Sequence, residues 1–509
     1  MIVALRPLPW RVLRRKLSKL AQLSREEFQP VIGLEVHVQL NTKSKLFSRA
    51  PCDSDAPPNS QVAAFDMATP GTLPMLNKSC VMHALRMAVL LNCEIPPYCR
   101  FDRKHYFYAD MPAGYQITQS DQPVARNGRF TYAVYSEDIP SYNKEGRITQ
   151  LQLEQDSGKT IHFGQSSLID LNRAGAPLVE VVSEPDFSTA LEAMCFVQQL
   201  RLLLMHHGIC QGEMHKGHLR VDANVSLSHD GNKGVKTEVK NINSLRHLHT
   251  AINFEINRQY EVISSGNRVV NETRTCDEHG RTVSMRDKEE ITDYRFIPEP
   301  NLPFLKIRPE WVDECMTSVS SEPSYVKYQQ LGFEPRRAVY YAEDPDLSRF
   351  VDRCADRLKN CGASEFVTWM YELKMMMRRS KAVYPPEDPE FAKQFMTVVE
   401  FHAQGRITKL RALETLRAFL SKIGDAEQLF NENNLWRITD ESTINKMMEE
   451  VLDKNEKLVQ KASNGHAKSL TKLRNLLVDS SKKRIDSEQA ENAIVTRLNN
   501  LKSSSCSEE

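Results

Sequence analysis

Hydrophobic and polar positions alternate strictly over Val31–Leu40, VIGLEVHVQL. Ile32, Leu34, Val36, Val38 and Leu40 share one face, and Gly33, Glu35, His37 and Gln39 the other. That period of two predicts a half-buried β-strand whose polar face carries a carboxylate and an imidazole side by side. LRVDANVSL repeats the pattern, with Leu219, Val221, Ala223, Val225 and Leu227 opposed to Arg220, Asp222, Asn224 and Ser226. Leu151–Glu154, Leu178–Val182 and Lys236–Lys240 are further strand candidates. Helical spacing marks Lys78–Leu91 and Ser188–His206, the latter with Ser188 as its expected N-cap. These helices do not alternate regularly with the strands, so an α+β fold around an antiparallel-rich sheet is expected rather than a doubly wound one.

After Pro309 the strand signals fade. Ile407, Leu410, Leu413, Leu416 and Leu420 mark one amphipathic helix, and a second begins near Thr439-Asp440 and runs through Leu452. Tyr384–Pro389, with three prolines, reads as a surface connection. The expected organisation is a leader over 1–25, a mixed sheet domain over 26–309, a helical domain over 310–432, a helical tail over 433–500 and a disordered end over 501–509.

The 509 residues are 40% hydrophobic and 26% charged, enough for two to four domains. Net charge is +1, so no overall basic field announces nucleic acid. The first 25 residues differ, with seven basic residues, no acid and no long apolar core. That composition is expected of a mitochondrial transit peptide, against the alternative of a basic helix kept for nucleic acid or membrane contact. Its removal leaves 60 basic residues against 66 acidic ones. Eleven cysteines form no C-x-x-C pair, which argues for free thiols. No run is apolar for long enough to span a membrane.

Nothing matches a P-loop, a dinucleotide fingerprint or a nucleophile elbow. The chemistry on offer is carboxylate-rich. Glu154 precedes a turn in LEQDSGK, Glu180 is the one acid inside the apolar run PLVEVV, and Glu238 lies between Lys236 and Lys240. With Glu35 and His37 these form a candidate oxygen-rich site for Mg²⁺ or Mn²⁺. Spacing alone leaves a surface ion pair open for each acid. RKHYFYADMPAGYQITQSDQP mixes cations, aromatics and amides, suited to a nucleotide base or an RNA end, or simply to a packed turn. Arg286, Asp293 and Arg295 offer guanidinium forks or structural ion pairs.

The order of these motifs is specific. VIGLEVHVQL, DRKHYFYADMPAGYQITQSDQP, LEQDSGK, DLNRAGAPLVEVVSEPD, LRVDANVSL, EVKNINS and MRDKEEITDYRFIPEP follow one another. The chain thereby closely resembles the B-type subunit family of glutamyl-tRNA(Gln) amidotransferases (GatB/GatE), strongly over residues 30–305 and weakly to about 500. The basic leader resembles that of a mitochondrial member, which implies the matrix.

The resemblance implies a cradle-shaped kinase-like domain, a helical domain and a YqeY-like tail. It implies a carbon–nitrogen ligase that uses ATP and Mg²⁺ to phosphorylate the side-chain carboxylate of glutamate mischarged onto tRNA(Gln). Ammonia released from glutamine by an A-type amidase partner then yields Gln-tRNA(Gln), and a small C-type partner clamps the other two together as a heterotrimer. By position, Glu35, His37, Glu154, Glu180 and Glu238 match the family's metal-site residues, with Glu35, His37 and Glu180 as catalytic. Tyr115, Arg173, Arg220, Asp222, Lys240 and Arg295 are implied for ATP or substrate contacts. Lys468, Lys472, Arg474, Lys482, Lys483 and Arg484 suit a grip on tRNA phosphates, or a solvated helix face. The chain departs from the bacterial HMEED, reading QLEQD, so Gln152 and Gln155 replace a histidine and a glutamate. Gln155 is therefore expected to weaken a second metal site. It also reads MHKGHLR for MEEGSLR, placing His215 and Lys216 where two acids stand. These departures leave one alternative, a tRNA-binding scaffold with a degenerate kinase site.

Overall fold

A computed structural model describes residues 24–53, 55–105, 107–287 and 294–505. The leader lies almost wholly outside them, as do Asp293 and the last four residues. The chain divides after Pro323 into two units.

The first unit is built on a nine-stranded sheet. Its long strands in chain order are β1 (Gln29–Gln39), β2 (Ala125–Val134), β3 (Tyr142–Gln155), β4 (Pro177–Ser183), β5 (Leu219–His229), β6 (Thr237–Ile242), β7 (Glu272–Cys276) and β8 (Thr282–Asp287). They lie in the order β8-β7-β6-β5-β1-β4-β3-β2, and a two-residue strand, Asn232–Lys233, adds to β5. All pairs are antiparallel except β6 with β7. The strand with the cleanest alternation thus sits between β4 and β5 at the centre. Ile32, Leu34, Val36 and Val38 are at most 1% exposed, and Val225, Ala223, Val221 and Leu219 stand beside them in register. Side chains alternate across a strand, so one face is wholly apolar and Glu35 and His37 are forced to the other.

Helices α1 (Lys78–Leu90), α2 (Ala190–His206), α3 (Leu245–Ser264) and α4 (Pro309–Ser318) complete this unit. α2 packs on β2 and α3 on β5. The N-cap of α2 is Thr189, one residue later than expected, because Glu192 closes a capping box with Thr189. α4 packs on α1, and the Cys315 thiol donates to the Met82 carbonyl at 3.7 Å. The first unit therefore includes a helix beyond the expected limit at residue 309. The short strands Asp102–His105, Tyr115–Thr118 and Ile297–Pro298 form a separate three-stranded sheet.

The second unit is helical, with two apolar cores. One is centred on Phe350, Phe366, Trp369, Phe391 and Phe395 and ends at Leu435. The other begins at Ile438 and gathers Ile444, Met448, Leu473, Leu477, Ile485 and Ile494. The step between them falls between Leu435 and Ile438. The last helix runs to Ser505, so residues 501–505 are helical rather than disordered. Among the described residues no helix is long and apolar enough to cross a membrane.

Candidate functional site

The polar face of the central strands assembles the site. In register, His37 lies beside Glu180 on β4 and Arg220 on β5, Glu35 lies beside Asp222, and Glu238 on β6 lies beside Asn224. β3 adds Gln152 opposite Glu180 and Glu154 opposite Leu178. Six side chains thereby form two clusters, His37–Glu154–Glu180 and Glu35–Asp222–Glu238, each with its ligand atoms within 4.8 Å of one another. All five residues matched to a metal site fall in these clusters. Asp222, expected as a substrate contact, lines the pocket and also stands in the second cluster. Its place opposite Glu35 follows from strand register, which sequence spacing does not reveal.

The first cluster is held by neutral donors. Gln152 Nε2 donates to Glu180 Oε2 at 2.6 Å, and Gln116 Nε2 donates to Glu154 Oε1 at 2.7 Å. Glu154 Oε2 is buried and has no hydrogen-bond partner. Burial pushes the Glu180 carboxyl up to about 7; His37 opposes the shift, and Glu154 and Glu35 add to it. An orphaned buried carboxylate oxygen beside a destabilised carboxyl and an imidazole is a donor set short of a cation. In the second cluster, Asn224 Nδ2 donates to Glu35 at 2.9 Å and Thr273 Oγ1 to Glu238 at 3.2 Å. Lys240 Nζ stands 3.5 Å from Asp222 and 3.2 Å from Glu238.

A pocket of about 280 Å³ opens over both clusters. His37, Glu154 and Asp222 line it, together with the cations Lys104, Arg220 and Lys240. Arg220 donates to Asp156 at 2.9 Å. Lys104, which lies on the small sheet beside Tyr294, is held protonated by Glu154 and Glu180 against the cost of burial. Lys104 was visible in sequence only as one cation of an aromatic-rich stretch.

Three residues singled out in the sequence stand apart from both clusters. Gln155 follows Glu154 on β3 and so faces away from it, approaching Met111 Sδ at 3.8 Å. It lines a different cavity and belongs to neither cluster. Tyr115 lines that same cavity, where Arg103 stacks on its ring at 4.2 Å. Arg295 is exposed and lines no part of the site pocket. Arg173 lines an adjoining cavity that shares Arg220, and it donates to the Ser157 and Gly158 carbonyls. The side chain of Arg286 lies outside the described residues. In the tail, Arg474 pairs with Glu491, Lys483 with Glu414, and Arg484 donates to the Trp436 carbonyl. Lys468, Lys472 and Lys482 are exposed.

Fold and site together define a class: a mixed-sheet protein with two carboxylate-rich clusters beneath a pocket lined by cations. The comparisons specify the family. Residues 30–313 match the GatB/GatE catalytic domain and residues 353–498 the GatB domain. The chain is 40% identical over 477 residues to the mitochondrial B-type subunit of glutamyl-tRNA(Gln) amidotransferase from Danio rerio, covering 87% of this chain and 84% of that one. The Aedes aegypti protein of the same name is 38% identical, covering 90% and 91%. The B-type subunit of the aspartyl/glutamyl-tRNA(Asn/Gln) amidotransferase from Carboxydothermus hydrogenoformans is 36% identical, covering 87% and 93%. The chain belongs to the GatB family of tRNA-dependent amidotransferase subunits.

Proposed function

We propose that this chain is the ATP- and Mg²⁺-dependent member of a mitochondrial heterotrimer that converts Glu-tRNA(Gln) to Gln-tRNA(Gln). The observation that carries the reading is the convergence of His37, Glu154, Glu180, Glu35, Asp222 and Glu238 into two clusters under a pocket lined by three cations. Phosphoryl transfer is catalysed chiefly by positioning and charge neutralisation. When bound at these carboxylates, Mg²⁺ supplies Lewis-acid neutralisation of phosphate oxygens.

The chain's own residues do the rest. Lys104, Arg220 and Lys240 line the pocket as cations for phosphate oxygens, and Asp156 fixes the guanidinium of Arg220. Gln116 and Gln152 lock the orientation of Glu154 and Glu180. The glutamyl carboxylate, a poor acyl donor, takes the γ-phosphoryl group of ATP with release of ADP, and ammonia then attacks the acyl phosphate at carbon, releasing phosphate. The chain carries no amidase signature, so ammonia is assigned to an A-type amidase partner, with a small C-type partner joining the two. The names of the mitochondrial relatives and the seven basic residues of the leader support a matrix location. Lys468, Lys472 and Lys482 are the tail cations best exposed for tRNA phosphates.

The grounds for a degenerate scaffold are Gln155, His215 and Lys216, and none of them belongs to either cluster. The test uses the assembled complex with glutamine, ATP and Glu-tRNA(Gln). Glu35→Gln and Glu154→Gln are expected to abolish tRNA-dependent ADP release and Gln-tRNA(Gln) formation while sparing glutamine hydrolysis. Full amidation by both variants would overturn the assignment.

A further inference from the structure

The two clusters differ in one respect. Among the described residues no lysine or arginine forms an ion pair with His37, Glu154 or Glu180, where the one ion pair is His37–Glu180 at 3.9 Å. Glu35, Asp222 and Glu238 already surround a cation, because Lys240 Nζ is within 3.5 Å of two of the three acids. This placement is built into the strand. A bulge separates the Val221 and Ala223 pairings of β5 with β6. Asn241 there takes a left-handed conformation, φ 57°, and its N–H donates to Asp222 Oδ1 at 2.8 Å. The kink brings Lys240 to Asp222 as well as to Glu238.

Three carboxylates this close repel one another unless a cation lies among them. Two cations cannot share the same oxygens without comparable repulsion. Lysine is a compact point charge on a flexible stem, and the Lys240 side chain is 35% exposed and lines the pocket, so it has both the reach and the room to move. The acids do not depend on it for orientation, since Asn224, Thr273 and the Asn241 N–H hold them with neutral donors.

We propose that Lys240 is a displaceable resident cation: it neutralises the Glu35–Asp222–Glu238 cluster when no divalent ion is bound, and yields those carboxylates to the ion by swinging its ammonium into the pocket as a phosphate ligand. The inference rests on the reading of the clusters as metal sites. The ammonium takes its charge with it when it leaves Asp222 and Glu238, so it needs a new anion. A bound polyphosphate supplies one. Occupancy of the second cluster and binding of the nucleotide are therefore coupled, whereas among the described residues no lysine or arginine stands at ion-pair distance in the first cluster.

The experiment is Mn²⁺ titration of the full chain, followed by electron paramagnetic resonance and calorimetry. Wild type is expected to show a tight class and a weak class. Glu238→Gln removes the weak class and His37→Ala the tight one, which assigns each class to a cluster. Lys240→Met and Lys240→Gln are expected to tighten the weak class about tenfold or more, the scale of a lost charge-assisted hydrogen bond, and to leave the tight class unchanged. Lys240→Arg, which keeps a cation there, stays near wild type. Unchanged weak-class affinity in both neutral variants would overturn the role of Lys240 while leaving the metal sites intact. Binding insensitive to Glu238→Gln and His37→Ala would instead remove the metal reading, and this inference with it.

Discussion

Replacing Glu180 by glutamine separates the stability of the sheet unit from its chemistry. The residue is 8% exposed, and its pKa is pushed from the ordinary 4.5 to about 7. A raised carboxyl pKa means that the folded state holds the proton more tightly than the unfolded chain does. Stability from this group is complete below about pH 4.5 and is lost as pH rises through 7. At about 1.4 kcal/mol per pKa unit, the ionised carboxylate costs the metal-free fold about 3 kcal/mol at pH 8. Glutamine keeps the shape, and its amide oxygen still accepts from Gln152. In EDTA, Glu180→Gln is therefore expected to gain about 3 kcal/mol at pH 8 and little near pH 4.5. Hydrogen exchange of peptides spanning Pro177–Ser183, on β4, reads this unit without interference from the helical one. In Mg²⁺ the ranking changes, because wild type is stabilised by binding and the variant is not. A gain equal at both pH values, or none at pH 8, would refute the reasoning.

Other consequences are as specific. Lys45 and Asp66 form an ion pair 0% and 1% exposed at 3.1 Å, so Lys45→Met strands a buried carboxylate and is expected to cost about 3–5 kcal/mol in urea denaturation; Lys45→Met with Asp66→Leu recovers most of the loss. Gln155→Ala leaves Mg²⁺ affinity unchanged by calorimetry, whereas Gln152→Ala, which removes the donor to Glu180, weakens it several-fold on the scale of about 1 kcal/mol for one hydrogen bond. Burial lowers the pKa of His83 and His207 to about 4, so the unfolded chain binds more protons between pH 6.5 and 4 and stability falls with pH across that window. Thermal melts of His83→Gln/His207→Gln are expected to show a shallower acid limb.

Much of this architecture is legible in the chain because it depends on period and order. The alternation over Val31–Leu40 places β1 in the sheet and puts Glu35 and His37 on one face, and the structure retains both features. The division of the acids between two clusters is set by register. Asp222 meets Glu35, and Glu154 meets Glu180, only once β1, β4, β5 and β3 are aligned. Gln155 stands outside the clusters for the same kind of reason: neighbours on a strand face opposite ways, so consecutive polar positions do not line one site. The limit at Pro309 followed the loss of strand signals, whereas α4 belongs with the sheet unit through its packing on α1, a tertiary contact that periodicity does not carry.

If one sheet face holds two cation sites beneath a phosphate-binding pocket, both ions and the nucleotide must be visible together. Crystals of the full chain soaked with Mn²⁺ and a non-hydrolysable ATP analogue would show this by anomalous diffraction. Two Mn²⁺ peaks are expected, one among His37, Glu154 and Glu180 and one among Glu35, Asp222 and Glu238, with the triphosphate between them and Lys104. Peaks elsewhere, or no peak at either cluster with the nucleotide bound, would contradict the two-site reading.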